Sequence, residues 1–175
     1  ALQARDALSA LLDRVAIARR RGAADPARPP PLVVKIAPDL TAGERRDVAE
    51  VALAARIDAL IVGNTTIARP PELRSRDRAE PGGLSGRPLF GPSTECLAEM
   101  YRLTGGRIPL IGCGGVSSGA DAYGKILAGA TLVQLYSALV FEGPRLVTRV
   151  KRELAECLRH DGFATVGEAV GKVGR

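Results

Sequence analysis

Four short aliphatic runs recur along the chain: LVVKIA at 32–37, ALIVGN at 59–64, IPLIGCGG at 108–115 and TLVQLYS at 131–137. Each is followed by a helical pattern, which predicts parallel strands buried on both faces with helices between them. The helix starts are marked. Thr41 and Glu44 form a capping box ahead of a segment in which Val48, Val51, Ala52 and Ala55 share one face, and Ser118 with Asp121 opens another that stops near Gly129. A third helix is predicted with Ser93 or Thr94 at its cap and Gly105 at its end, and a fourth runs from Pro144 to Gly162. An amphipathic helix over 2–22 precedes the first strand. The proline-rich ADPARPPP at 24–31 is a stiff connector, too short to separate domains. Residues 68–92 form the one long irregular stretch, the kind of loop that serves as a lid or binding loop in a compact domain. The fold class is α/β.

Composition narrows the function classes. The 175 residues are 46% hydrophobic, enough for one globular unit with a core, and the formal charge is +6. Arginines are interspersed with acids and aromatics make up only 3%, so a solvated basic surface fits better than a nucleic-acid interface. Cys96, Cys113 and Cys157 are odd in number and widely spaced, with only His160 beside them, which predicts reduced thiols and no metal site. No apolar run approaches the roughly 20 residues needed to span a bilayer, and no signal peptide is seen.

The polar residues gather at strand ends. Strand alternation puts Leu32, Val34 and Ile36 on one face and Val33 with Lys35 on the other; Lys35 then needs an anion or an electron-rich ring, unless it snorkels from an edge. Asn64, Thr65 and Thr66 follow the second strand, at the end where parallel α/β folds bind ligands, although a polar turn would look the same. Gly114 and Gly115 follow the third strand, Tyr136 and Ser137 the fourth, and the latter precede a short helical ALVF turn. That arrangement suits a phosphate grip, with a purely structural glycine turn as the alternative. GCGGVS lacks the third glycine of a dinucleotide fingerprint, and no G-K-[ST] follows it. Cys113, with no base near it in sequence, reads as a small buried apolar residue; Ser117 and Ser118 read as caps and His160 as a helix terminator.

Taken in order, VVKIAPDLT, LIVGNTT, GGLSGRPL, IGCGGVSSG and LVQLYSALVFEGP resemble the quinone-linked branch of the dihydroorotate dehydrogenases over nearly the whole chain. The resemblance implies an eight-stranded (β/α) barrel, the TIM-barrel architecture, holding FMN at the C-terminal ends of its strands. It also implies oxidation of dihydroorotate to orotate in pyrimidine (UMP) synthesis, with a quinone as electron acceptor. It assigns Lys35, Gly63, Gly86, Gly114, Gly115, Tyr136 and Ser137 to the flavin, the last three to its phosphate, and Asn64 and Thr65 to the pyrimidine. Relatives more often carry Ser or Thr at position 63 and an aliphatic residue at position 113. The serine that acts as catalytic base in this branch is expected upstream of Ala1, with the four earlier strands and the membrane-associating helices. Residues 1–175 would then be the C-terminal half of one barrel, inactive alone and needing its missing half or a second copy to cover its open edges. The parent enzyme is expected peripherally on the cytoplasmic side of a bacterial inner membrane, or on the mitochondrial inner membrane. The alternatives are another FMN barrel oxidoreductase and a non-catalytic half-barrel interaction module.

Overall fold

The computed structural model describes residues 4–172. The chain runs α1 (Arg5–Gly22), β1 (Val33–Ile36), α2 (Ala42–Ala54), β2 (Ala59–Val62), α3 (Phe90–Thr104), β3 (Leu110–Cys113), α4 (Gly119–Leu127), β4 (Ala130–Gln134), α5 (Ser137–Glu142), α6 (Arg145–His160) and α7 (Val166–Ala169). The four strands form one sheet in sequence order, all parallel, so each crossover is a βα unit. These are the four βα units expected from the sequence, laid out as an open sheet.

Alternation decides which face meets the helices. Leu60, Val62, Leu110 and Ala130 are fully buried, packed with Val48 and Ala52 of α2, Leu97 and Met100 of α3 and Ile126 of α4. Burying each of the larger aliphatics contributes about 1.5–3 kcal/mol. The other face carries the pairs Lys35 with Ile61, Ile61 with Ile111, and Ile111 with Leu132, in register across the sheet. That face is open: Leu132 is 62% exposed and Val33 40%. Among the described residues nothing pairs with the outer edges of β1 and β4.

Local signals set most boundaries. The Thr41–Glu44 capping box forms in both directions, with the Glu44 N–H donating to the Thr41 hydroxyl and the Glu44 carboxylate accepting from the Thr41 N–H. The Ser118 hydroxyl accepts from the Asp121 N–H at the start of α4. Gly105 closes α3 in a left-handed conformation, and α6 ends where His160 pairs with Asp161.

Four expectations change. Neither Ser93 nor Thr94 caps α3. The helix starts at Phe90, directly after a 3₁₀ turn at Arg87–Leu89, and both hydroxyls donate back to backbone carbonyls of the first turn. The irregular stretch therefore ends at Gly86 rather than Pro92. β4 starts at Ala130 and stops at Gln134, three residues short of Ser137, after a register shift between Leu110 and Ile111 that leaves Thr131 unpaired. The short α7 was not expected, although Thr165 and Glu168 repeat the T-x-x-E spacing of Thr41 and Glu44 and the Thr165 hydroxyl accepts from the Glu168 N–H. The predicted start of α1 at Leu2 lies outside the described residues.

Candidate functional site

The four strands point the same way, so the loops after them meet at one end of the sheet. They enclose a cleft of about 650 Å³ lined by Lys35, by Gly63, Asn64 and Thr65, by Ser85, Gly86 and Arg87, by Cys113 to Ser117, and by Leu135 to Ala138 with Phe141 and Glu142. All nine residues singled out in the sequence, namely Lys35, Gly63, Asn64, Thr65, Gly86, Gly114, Gly115, Tyr136 and Ser137, line it.

They are delivered by β1 and by the segments that follow β2, β3 and β4. Lys35, one residue from the end of β1, stands on the open face opposite Ile61, and its ammonium has no hydrogen-bond partner among the described residues. Gly63 follows β2 with φ +119°, and a Cβ there would lie 2.2 Å from the Cys113 carbonyl oxygen. The loop after β2 is thus pressed against the loop after β3, which only glycine allows in this chain. Gly115, at φ +76°, sits equally close to α3: a Cβ would fall 2.5 Å from the Cβ of Phe90. The amide N–H groups of Gly115 and Tyr136, at the wall of the cleft, have no protein acceptor among the described residues.

The long loop is held by its own contacts. One nitrogen of Arg69 donates to the carbonyls of Glu80 and Gly82, each at 2.8 Å, and Thr66 forms an antiparallel bridge with Leu84. Ser85 and Gly86 are thereby brought to the cleft, where the Ser137 hydroxyl donates to Ser85 at 3.0 Å. Thr66, expected to add a hydroxyl to the site, is 3% exposed and turned away; it donates to Asp39, which also accepts from the Ile67 N–H. Its task is to fix the loop that presents Asn64 and Thr65.

A second network secures the far wall. Ser117 donates through both its N–H and its hydroxyl to Asp121. Burial pushes the Asp121 carboxyl up, but the donors of Ser117 and Ser118 outweigh it and hold the group below the ordinary carboxylate range. The Glu153 carboxylate accepts from the Gly119 N–H at 2.7 Å, so the start of α4 is already occupied by acids of the chain itself. Arg149 joins Glu153, Glu142 and the Ser117 carbonyl, tying α5 to α6 and α4.

Some contributors were not visible in the sequence. Ser85, Arg87, Phe141 and Glu142 line the cleft; Ser85 and Arg87 flank the flagged glycine, but nothing in periodicity separates them from loop residues. Cys113, expected to be buried, is half-buried and lines the cleft because it belongs to the open face of β3. Lys125 of α4, a residue type that normally marks a surface, is completely buried beneath the glycine turn. No group of metal-binding side chains and no helix long and apolar enough to cross a membrane occurs among the described residues.

Comparison with known proteins gives the cleft a context. The family model described as dihydroorotate dehydrogenase matches residues 1–158. The chain is 56% identical over 171 residues to a dihydroorotate dehydrogenase (quinone) of Xanthobacter autotrophicus, covering 98% of this chain and 48% of that one. It is 58% identical to the mitochondrial dihydroorotate dehydrogenase (quinone) of Oryza sativa, covering 97% and 36%. A ligand-free dihydroorotate dehydrogenase crystal structure from Eimeria tenella superposes with a TM-score of 0.92 at 43% identity, covering 99% of this chain and 51% of that one. The chain spans about half the length, or less, of the relatives it matches.

Proposed function

This chain belongs to the dihydroorotate dehydrogenase family, and we propose that it is the C-terminal half of an FMN-dependent, quinone-reducing enzyme of that family, acting in pyrimidine synthesis. The observation that carries the reading is the convergence of Lys35, Asn64, Thr65 and the glycine turns on one cleft at the C-terminal ends of parallel strands.

The residues fit FMN. A cleft of about 650 Å³ has room for a flavin. The backbone at Gly63 and Gly115 runs where a side chain would collide with neighbouring backbone or Phe90, leaving amide donors free for an anion. In this reading Gly114, Gly115, Tyr136 and Ser137 hold the phosphate and Gly63 and Gly86 lie against the rest of the cofactor. Bound FMN supplies the two-electron acceptor for the oxidation of dihydroorotate to orotate.

The chain's own residues supply binding and charge. Lys35 brings an unpaired ammonium to the cleft, where it stabilises negative charge that develops during the reaction. Asn64 offers a donor and an acceptor on one amide, and Thr65 a hydroxyl, suited to the edge of a pyrimidine ring. Two polar groups of the cleft are already engaged, Glu142 by Arg149 and Ser137 by Ser85. We assign abstraction of the carbon-bound proton to a serine preceding Ala1. The quinone site, and peripheral attachment to a bacterial inner membrane or its mitochondrial counterpart, belong in this proposal to the same preceding region.

Turnover tests the reading. The full-length protein should convert dihydroorotate to orotate with a quinone acceptor, and Lys35→Ala should lower kcat by about 10²-fold or more. The 175-residue chain alone should form no orotate, since this proposal assigns the base and half the substrate contacts to the other half of the barrel. A full-length protein that forms no orotate, or an isolated chain that turns over substantially, would contradict it.

A further inference from the structure

Lys125 is an anomaly of burial. Its side chain is 0% exposed, yet no carboxylate bonds to its ammonium among the described residues. Instead Nζ donates to the Ser93 hydroxyl at 2.6 Å and to the Phe90 carbonyl at 3.4 Å, and lies 5.0 Å from the centre of the Phe90 ring. An unpaired buried cation is costly, so something must offset it.

What it faces is the underside of the glycine turn. The Ser93 hydroxyl that accepts from Lys125 has three backbone carbonyls within reach of its one proton, Leu89 at 2.7 Å, Phe90 at 3.2 Å and Gly114 at 3.3 Å. Gly114 packs so closely on Ser93 that a Cβ would lie 2.8 Å from its oxygen. A trans peptide is planar, with C=O and N–H pointing in opposite directions. With the Gly114 carbonyl on the Ser93 side, the Gly115 N–H faces the other way, toward the cleft, where no group among the described residues accepts from it. The ammonium thus lies behind this peptide, with the Ser93 hydroxyl between them.

We propose that Lys125 is a positioning residue for the anionic end of the cofactor: latched through Ser93 to the peptide joining Gly114 and Gly115, it aims that peptide's N–H at the phosphate and places a buried positive charge behind it. The proposal rests on the reading of this cleft as an FMN site. It accounts for a charge in the core of α4 and β3 that neither the sheet nor the helix packing requires. Burial lowers the ammonium's pKa to about 8, against the opposing pull of Cys113, Cys96 and Asp121, so at neutral pH the charge persists.

Comparing FMN with riboflavin, which lacks the phosphate, separates this role from a merely structural one. Dissociation constants for both flavins would be measured by fluorescence quenching on the full-length protein and on its Lys125→Met and Ser93→Ala variants. The unmodified protein should prefer FMN. Lys125→Met should lose about tenfold of that preference while its riboflavin affinity holds within about twofold, and Ser93→Ala should lose a smaller part, several-fold. Equal weakening toward both flavins, or a preference left intact, overturns the role of Lys125. Should Lys125→Met fail to fold, an unchanged preference in folded Ser93→Ala overturns it instead. Absence of any FMN preference in the unmodified protein would strike the phosphate-site reading itself, before Lys125 is at issue.

Discussion

At the scale of single residues, the cleft is built by what is missing from side chains as much as by what they carry. Gly115→Ala would place a methyl group within 2.5–2.6 Å of Phe90 at a positive φ. It should cost about 1–3 kcal/mol of unfolding free energy by urea titration and abolish tight FMN binding; a variant that binds flavin like its parent would remove this turn from the site. Lys125 gives a pH signature whose sign is fixed by its environment. Its pKa in the folded protein, about 8, lies below the ordinary lysine value of 10.5. Below pH 8 both folded and unfolded chains hold the proton and the full burial penalty is present. Between pH 8 and 10.5 the unfolded chain binds more protons, so this group's contribution to stability improves as pH rises. The stability of Lys125→Met relative to the parent should therefore fall by on the order of 3 kcal/mol from pH 7 to pH 10.5, measured by denaturation at both ends. A pH-independent difference would show that the ammonium is not desolvated in the folded protein.

At the scale of elements, local chemistry fixed the ends that local chemistry controls. The starts at Thr41 and Ser118 form as their sequences predict, and Thr41→Ala should cost about 1 kcal/mol in urea unfolding without altering flavin binding. A loss of flavin affinity would mean that α2 shapes the cleft and not just its scaffold. α3 shows where this reasoning stops. Ser93 has the residue type of a cap, yet a 3₁₀ turn led by Pro88 starts the helix earlier, and tertiary packing recruits the hydroxyl for Lys125. β4 likewise ends at Gln134 because the chain must turn away to present Tyr136 and Ser137, a demand of the site that strand propensity does not contain. Seven of the nine cleft residues were legible because motif and strand end coincide; Gly63 and Gly86 were named by the family resemblance alone. Arg87, Phe141 and Lys125 were not legible, since an arginine in a loop, an aromatic on a short helix and a lysine on a helix all read as ordinary surface.

At the scale of the molecule, four parallel strands leave two unpaired edges and an apolar face bearing Val33 and Leu132, with Tyr136, Val140 and Phe141 exposed beside it. Such a surface favours association. The isolated 175-residue chain should sediment above its monomer mass, and expression with the preceding barrel half should yield a single compact species that retains FMN through gel filtration. A stable monomer that binds FMN unaided would show that the half-barrel is self-sufficient. The central claim is that one phosphate-bearing flavin is held by the loops of these four strands. A crystal structure of the full-length protein grown with FMN and orotate tests it most directly. The phosphate should lie against the amides of Gly115, Tyr136 and Ser137, with the Lys35 ammonium beside the flavin ring and orotate at Asn64. Flavin bound elsewhere, with this cleft filled by side chains or solvent, would contradict it.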